Sequence, residues 1–291
     1  MADDYRDGIA FDGERFLPIE KAMVPLEDRA HQFGDGIYEV IRIYQGTFFK
    51  LEEHMKRLER SAQAVALTLP YEMSKIMELI EKARLASECK EAALYIQVSR
   101  GAARRDHPFP DAPARLTMTV RPVFTEKTTA LRRLGQRVMT TEDIRWSWCY
   151  IKSLNLLPNV LMKQRALDAG FNDAIFVRDG LVTEGTSSNI AILRDRTLYT
   201  HPANQAILHG VTRHVVLELA REIGISVVEK AFTVKELKEA DEAFTMSTIA
   251  EIVPIRQVDE ALIKNGNVDE FELTHLLQER FAAQHSRDLV K

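Results

Sequence analysis

Lys152, in the run Tyr150-Ile151-Lys152-Ser153-Leu154-Asn155, and Glu184, in Leu181-Val182-Thr183-Glu184-Gly185-Thr186-Ser187-Ser188-Asn189, are the side chains of this sequence best suited to joint chemistry. A lysine acts as a covalent catalyst when burial or neighbouring charge lowers its pKa enough to expose the free amine. A pyridine ring serves best as an electron sink when an acidic partner keeps its nitrogen protonated. A lysine followed by a carboxylate beside small hydroxyl residues is therefore what a pyridoxal 5'-phosphate enzyme needs.

Such a cofactor carries a phosphate, and three segments could hold it. His54 and Arg57 are three apart on a helical stretch and share a face. The planar fork of an arginine suits a pair of phosphate oxygens. The same spacing equally fits a solvated face, because Glu52, Glu53, Lys56, Glu59 and Arg60 crowd the segment. In Leu208-His209-Gly210-Val211-Thr212-Arg213, Gly210 ends an extended run and a helix begins at once. Backbone N–H groups and the helix dipole there would meet an anion, or simply form an N-cap. Met246-Ser247-Thr248-Ile249-Ala250-Glu251 reads as a second such place, with hydroxyls and amides at a strand-to-helix turn, or again as a cap.

A substrate carboxylate would need its own cations. The loop from Val98 to Pro110 supplies Arg100, Arg104, Arg105 and His107 among glycine and prolines. It can fix a carboxylate bidentately, or be a surface loop of solvated charges. Tyr38 adds a phenol, although strand tyrosines usually pack. Trp146 and Trp148 read as packing.

These groups need a scaffold. Ile9–Phe11 and Glu14–Phe16 read as a hairpin over Asp12-Gly13. Gly36–Tyr44 is a β-branched and aromatic strand whose two-residue period puts Tyr38, Val40, Arg42 and Tyr44 on one face. After Thr47–Phe49 the period turns helical from Leu51 to Leu67, with Leu51, Met55, Leu58, Ala62 and Val65 on one stripe. A helix over 74–87 and strands over 92–99 and 116–123 follow. Phe124–Thr129 is polar and aperiodic, and the domain boundary is expected there, dividing residues 1–125 from 126–291. The second half predicts strands at 137–141, 174–178, 181–184, 190–193, 227–232 and 243–247, and helices at 157–169, 212–223 and 270–284. The expected architecture is two mixed α/β domains with a small-molecule cleft between them.

Composition narrows the classes. At 291 residues the chain exceeds the size at which single cores stop growing. A formal net charge of −4 gives no general attraction to nucleic acid or an anionic membrane, so any bound anion must be held by local groups. No apolar run reaches the length of a transmembrane helix, and the acidic start Met1-Ala2-Asp3-Asp4 is unlike a signal peptide. Cys89 and Cys149, without CxxC spacing, fit a reducing cytoplasm and no metal cluster. GxxxxGK[ST], GxGxxG and HExxH patterns are absent, and Gly185-Thr186-Ser187-Ser188 is not a GxSxG elbow, which removes many ATPase, dehydrogenase and zinc protease readings.

Taken together, four ordered runs resemble the class IV (fold type IV) pyridoxal phosphate-dependent aminotransferases, and most closely the D-amino acid branch: Asp28–Glu39, Ile151–Asn155, Thr183–Asn189 and Leu208–Arg213. The resemblance extends from about Ile9 to Asp259. It implies that Lys152 holds the cofactor and shuttles the substrate proton, and that Glu184 pairs with the pyridine nitrogen. Arg57, Val211, Thr212, Ser247 and Thr248 would hold the phosphate, with His54 in support and Leu208 against the ring face. Tyr38, Arg105 and His107 would grip the substrate carboxylate, the last two reaching across a homodimer. The implied activity converts a D-amino acid and 2-oxoglutarate into a 2-oxo acid and D-glutamate. Branched-chain L-amino acid transaminases, R-selective amine transaminases and aminodeoxychorismate lyase share the scaffold. The Arg105-Asp106-His107 spacing, and Met246-Ser247-Thr248-Ile249 in place of the Thr-Gly-Thr-Ala turn of branched-chain relatives, set this chain apart from them.

Overall fold

In a computed structural model, residues 8–288 are described, so the acidic start at Met1–Asp4 lies outside them. The chain forms two compact units. One runs to Phe124 and includes Ile151–Asn155; the other is built from Thr125–Tyr150 and the chain from Leu156 onward. Both units mix helices and strands, the α/β class expected from sequence.

The first unit is a six-stranded antiparallel sheet in the order Phe16–Pro18, Ile9–Phe11, Arg115–Pro122, Ala92–Ser99, Gly36–Tyr44, Thr47–Phe48. The β-branched residues explain the strand at Gly36–Tyr44: Ile37, Ile41 and Ile43 are completely buried. The helix Leu51–Ala64 buries the expected stripe of Met55, Leu58 and Ala62. It also buries a neighbouring polar stripe, His54, Arg57 and Ser61, so the solvated-face reading of His54 and Arg57 fails. The helix Met73–Ser87 adds Ile76, Leu79, Ile80 and Ala83 to the core.

The second unit is a nine-stranded mixed sheet. Its order is Ser226–Glu229, Thr197–Thr200, Asn189–Arg194, Glu242–Ser247, Glu251–Val258, Gln136–Glu142, Asp173–Arg178, Leu181–Gly185, with Ala261–Leu262 paired to Glu251–Val258. Val138, Ile175, Val182, Ile190, Ile192 and Phe271 meet in its core.

Several expectations are corrected. The polar, aperiodic stretch at Phe124–Thr129 runs into a helix, Glu126–Leu134, that is absent from the expected elements. None of its residues is buried, so it carries no apolar stripe for a period to reveal. Thr197–Thr200, Glu251–Val258 and the short helix Val234–Lys238 have no counterpart among the expected elements. The strand expected over 227–232 is Ser226–Glu229. Ser247 and Thr248 do not precede a helix: they open the turn between two antiparallel strands, Glu242–Ser247 and Glu251–Val258. Trp146 and Trp148 pack, with ring centroids 5.9 Å apart, but on each other and at 39% and 47% exposure rather than in a core.

Candidate active site

In the first unit, the segment carrying Lys152 runs beside the start of the Gly36–Tyr44 strand. The Tyr38 amide donates to the Lys152 carbonyl at 3.0 Å, the Leu154 amide to the Gly36 carbonyl at 3.1 Å, and Ile37 bridges Ser153. A Cβ on Gly36 would stand 2.6 Å from the Val98 carbonyl and 2.8 Å from Leu154, so this close approach requires glycine. The Ser61 hydroxyl accepts from the Lys152 amide at 3.2 Å. Lys152 Nζ lies 4.3 Å from the centre of the Tyr38 ring, which brings together two residues singled out from sequence. Tyr38 stacks on Tyr95, whose phenol donates to Gln97 at 2.8 Å. Burial, with Tyr38 alongside, pushes the Tyr95 hydroxyl up to about 12.

His54 and Arg57 converge on Glu39, a residue to which the sequence alone assigns no role. Glu39 is fully buried and accepts from Arg57 Nε at 2.7 Å and Arg57 Nη2 at 2.8 Å, while His54 Nδ1 lies 2.8 Å from it. Burial alone would raise the Glu39 carboxyl, but the charge and hydrogen bonds of Arg57, then those of His54, hold it well below the carboxylate range. Burial drives His54 the other way, below its ordinary 6.5, against the pull of Glu39. The cation of Arg57 is thus oriented and balanced by a strand residue two positions beyond Ile37.

Arg105 and His107 lie in an exposed loop and share the Phe33 ring: the Arg105 guanidinium is 4.8 Å from its centre and the His107 ring 5.7 Å. Arg100 is not a rival for the substrate carboxylate. It is buried, paired with Asp35 at 3.0 Å, and donates to the Val65 and Ala66 carbonyls at 2.8 Å.

In the second unit, the buried Glu184 ends in a partly buried polar cluster. Arg145 Nη1 donates to its Oε1, and Oε2 accepts from Asn189 Nδ2 and from the Leu208 amide, each at 3.0 Å. Asn189 Nδ2 also donates to the Leu208 carbonyl at 2.9 Å, tying the carboxylate strand to the turn before the Val211–Glu222 helix. Burial pushes the Glu184 carboxyl up, opposed by Arg145 and the Leu208 amide. A second carboxylate, Asp143, braces Arg145 at 2.8 Å and meets Arg178 at 3.1 Å. Arg145 and Asp143 escape a reading of the sequence; their only signal is a charged pair ahead of the tryptophans.

Gly210 is the N-cap of that helix and has no side chain to cap its first N–H groups, those of Val211 and Thr212. Its φ of −64° suits any residue, but a Cβ there would stand 2.0 Å from Asn189 Oδ1. Ser247 Oγ is engaged by the Ala250 amide at 3.3 Å within its turn.

The donor set fits pyridoxal 5'-phosphate. A carboxylate accepts about four hydrogen bonds, so the three donors on Glu184 leave room for a pyridinium N–H. Val211 and Thr212 offer a helix N-terminus to a phosphate.

Residues 36–258 match the family described as amino-transferase class IV. The chain belongs to the class IV aminotransferases. This member is 41% identical to the D-alanine aminotransferase of Bacillus licheniformis over 89% of its own length and 90% of that protein's. It is 42% identical to the D-alanine aminotransferase of Staphylococcus aureus over 94% and 96%. Among solved structures, the branched-chain aminotransferase from the thermophilic archaeon Thermoproteus uzoniensis, with norvaline, matches with a TM-score of 0.81 at 27% identity, covering 94% of each chain.

Proposed function

We propose that this class IV aminotransferase uses pyridoxal 5'-phosphate to transfer the amino group of a D-amino acid such as D-alanine to 2-oxoglutarate, giving a 2-oxo acid and D-glutamate. The observation that carries the substrate reading is the 41–42% identity, over nearly the whole chain, to D-alanine aminotransferases. It is joined by Tyr38, Arg105 and His107, a phenol, a guanidinium and an imidazole suited to a carboxylate.

The cofactor, when bound, supplies the electron sink for the amino acid Cα. Lys152 anchors it, takes the Cα proton and redelivers it. Glu184 accepts from the ring nitrogen and is kept from excess negative charge by Arg145. Arg57, Val211, Thr212, Ser247 and Thr248 hold the phosphate, with His54 and Glu39 orienting Arg57. Leu208, whose amide donates to Glu184, would lie against the ring. Tyr38, Arg105 and His107 bind the substrate carboxylate, the latter two from the partner subunit of a cytoplasmic homodimer.

The test supplies purified protein with D- or L-alanine and 2-oxoglutarate and follows pyruvate and the chirality of the glutamate formed. D-Glutamate from D-alanine is expected; L-glutamate from L-alanine would move the chain to the branched-chain side. Lys152→Ala should lose the cofactor absorbance near the visible edge and nearly all turnover, and a variant keeping both would sink the assignment.

A further inference from the structure

Arg29 opens a five-residue helix, Arg29–Phe33, yet its side chain is only 4% exposed. Its Nε donates to Asp35 at 2.7 Å. Its Nη1 donates to the carbonyls of Asp106 at 2.5 Å and Pro108 at 3.4 Å, and its Nη2 to that of His107 at 3.4 Å. One guanidinium therefore gathers three consecutive carbonyls of the loop that carries Arg105 and His107. Asp35 is itself fixed by Arg100, and the Arg100 guanidinium carbon lies 3.7 Å from the centre of the Phe109 ring. Phe33 completes the frame, with Arg29 and Arg105 each 4.8 Å from its ring centre.

Burying a guanidinium is costly unless its donors are satisfied. Here the satisfaction comes from Asp35 and from the backbone of residues 106–108, so the buried charge and the loop conformation depend on one another. A loop of merely solvated charges needs no such support. We infer that Arg29, held by Asp35, is the positioning residue that presents Arg105 and His107 to the substrate carboxylate. What those two side chains bind rests on the proposed D-amino acid activity.

Arg29→Lys keeps the charge but cannot reproduce the fork that reaches several carbonyls. We expect KM for both D-alanine and 2-oxoglutarate to rise about tenfold or more, with kcat within about threefold and the cofactor spectrum unchanged. In an Arg105→Ala background, Arg29→Lys should raise KM clearly less than it does alone, because only His107 is left for it to position. Arg42→Lys is the control. It weakens a comparable buried network, with bonds to the Ile43 and Ala92 carbonyls and to Glu91, and should lower Tm without moving KM. An Arg29→Lys enzyme that loses Tm but keeps KM, or whose effect simply adds to Arg105→Ala, overturns the inference. Should Arg29→Lys not fold, Phe109→Ala, at a side chain 63% exposed, carries the same expectation on a smaller scale, and unchanged KM there overturns it. Limited trypsin cleavage after Arg104 and Arg105 reads the loop independently of turnover. Faster cleavage in the variant supports Arg29 as its support even if the wild-type enzyme proves inactive on D-amino acids; an unchanged rate counts against it.

Discussion

Glu39 is a fully buried carboxylate, and it stays charged because two helix residues point at it. Its depressed carboxyl gives stability that is present above the ordinary 4.5 and lost as pH falls below it. His54, depressed below 6.5, also gives stability present at higher pH and lost on acidification. Both groups therefore weaken the first unit in acid. Glu39→Gln would leave Arg57 buried without its counter-charge, at a cost of about 3 kcal/mol at neutral pH. The same substitution should flatten the part of the fall of Tm that lies below about pH 4.5, in melts taken from neutral pH down to about pH 2. Thermal melts across that range check both, and a parent-like slope in the variant would refute the assignment of the acid sensitivity to this cluster. Glu184 follows the same logic with a different outcome, since there burial outweighs Arg145 and leaves the carboxyl raised.

At the scale of elements, the Val211–Glu222 helix is useful because of how it begins. Its N-cap is a glycine packed against Asn189, and Asn189 bonds Glu184. The helix N-terminus and the carboxylate are thereby fixed relative to one another through one amide side chain. Gly210→Ala should push Asn189 aside and disturb both. We expect pyridoxal 5'-phosphate affinity, measured by absorbance titration, to fall about tenfold or more, given the sensitivity of such sites to displacements near 1 Å. A smaller loss of Tm should accompany it, and unchanged affinity would mean that this turn does not hold the cofactor. The strand Glu251–Val258 shows why an element can hide: Pro254 sits inside it, where a proline argues against a strand, and its pairing with Gln136–Glu142 shifts between Ile255 and Gln257. A sequence pattern records neither the shift nor the neighbours that hold the strand between two others.

For the whole molecule, a net charge of −4 leaves recognition to local groups, and among the described residues no helix is long and apolar enough to cross a membrane. The proposed dimer makes a sharp prediction. Lys152→Ala and Arg105→Ala homodimers should each be nearly inactive with D-alanine at low substrate. If Arg105 serves the Lys152 of the other subunit, random mixing of the two variants restores one intact site per mixed dimer, so about a quarter of wild-type activity should return. No recovery on mixing would place Arg105 with the Lys152 of its own chain. Sedimentation of the active species should give about twice the 33.2 kDa of one chain.

Lys152, Glu184, Tyr38, Arg105 and His107 were legible as candidates in the sequence because their chemistry and local runs are contiguous. So were most strands and helices, because β-branched alternation and the Met55-Leu58-Ala62 stripe are local signals. Local signals could not say that Ile151–Asn155 lies along the Gly36–Tyr44 strand, because backbone hydrogen bonds between distant segments leave no period. Nor could they say that Glu39 balances Arg57, that Arg145 and Asn189 bracket Glu184, or that Arg29 holds the carbonyls of residues 106–108. Residue type and local pattern name the side chains whose chemistry could serve. The tertiary structure decided which charges and amides hold them in place, because burial makes an unpaired polar group costly and only the folded chain shows where each partner comes from.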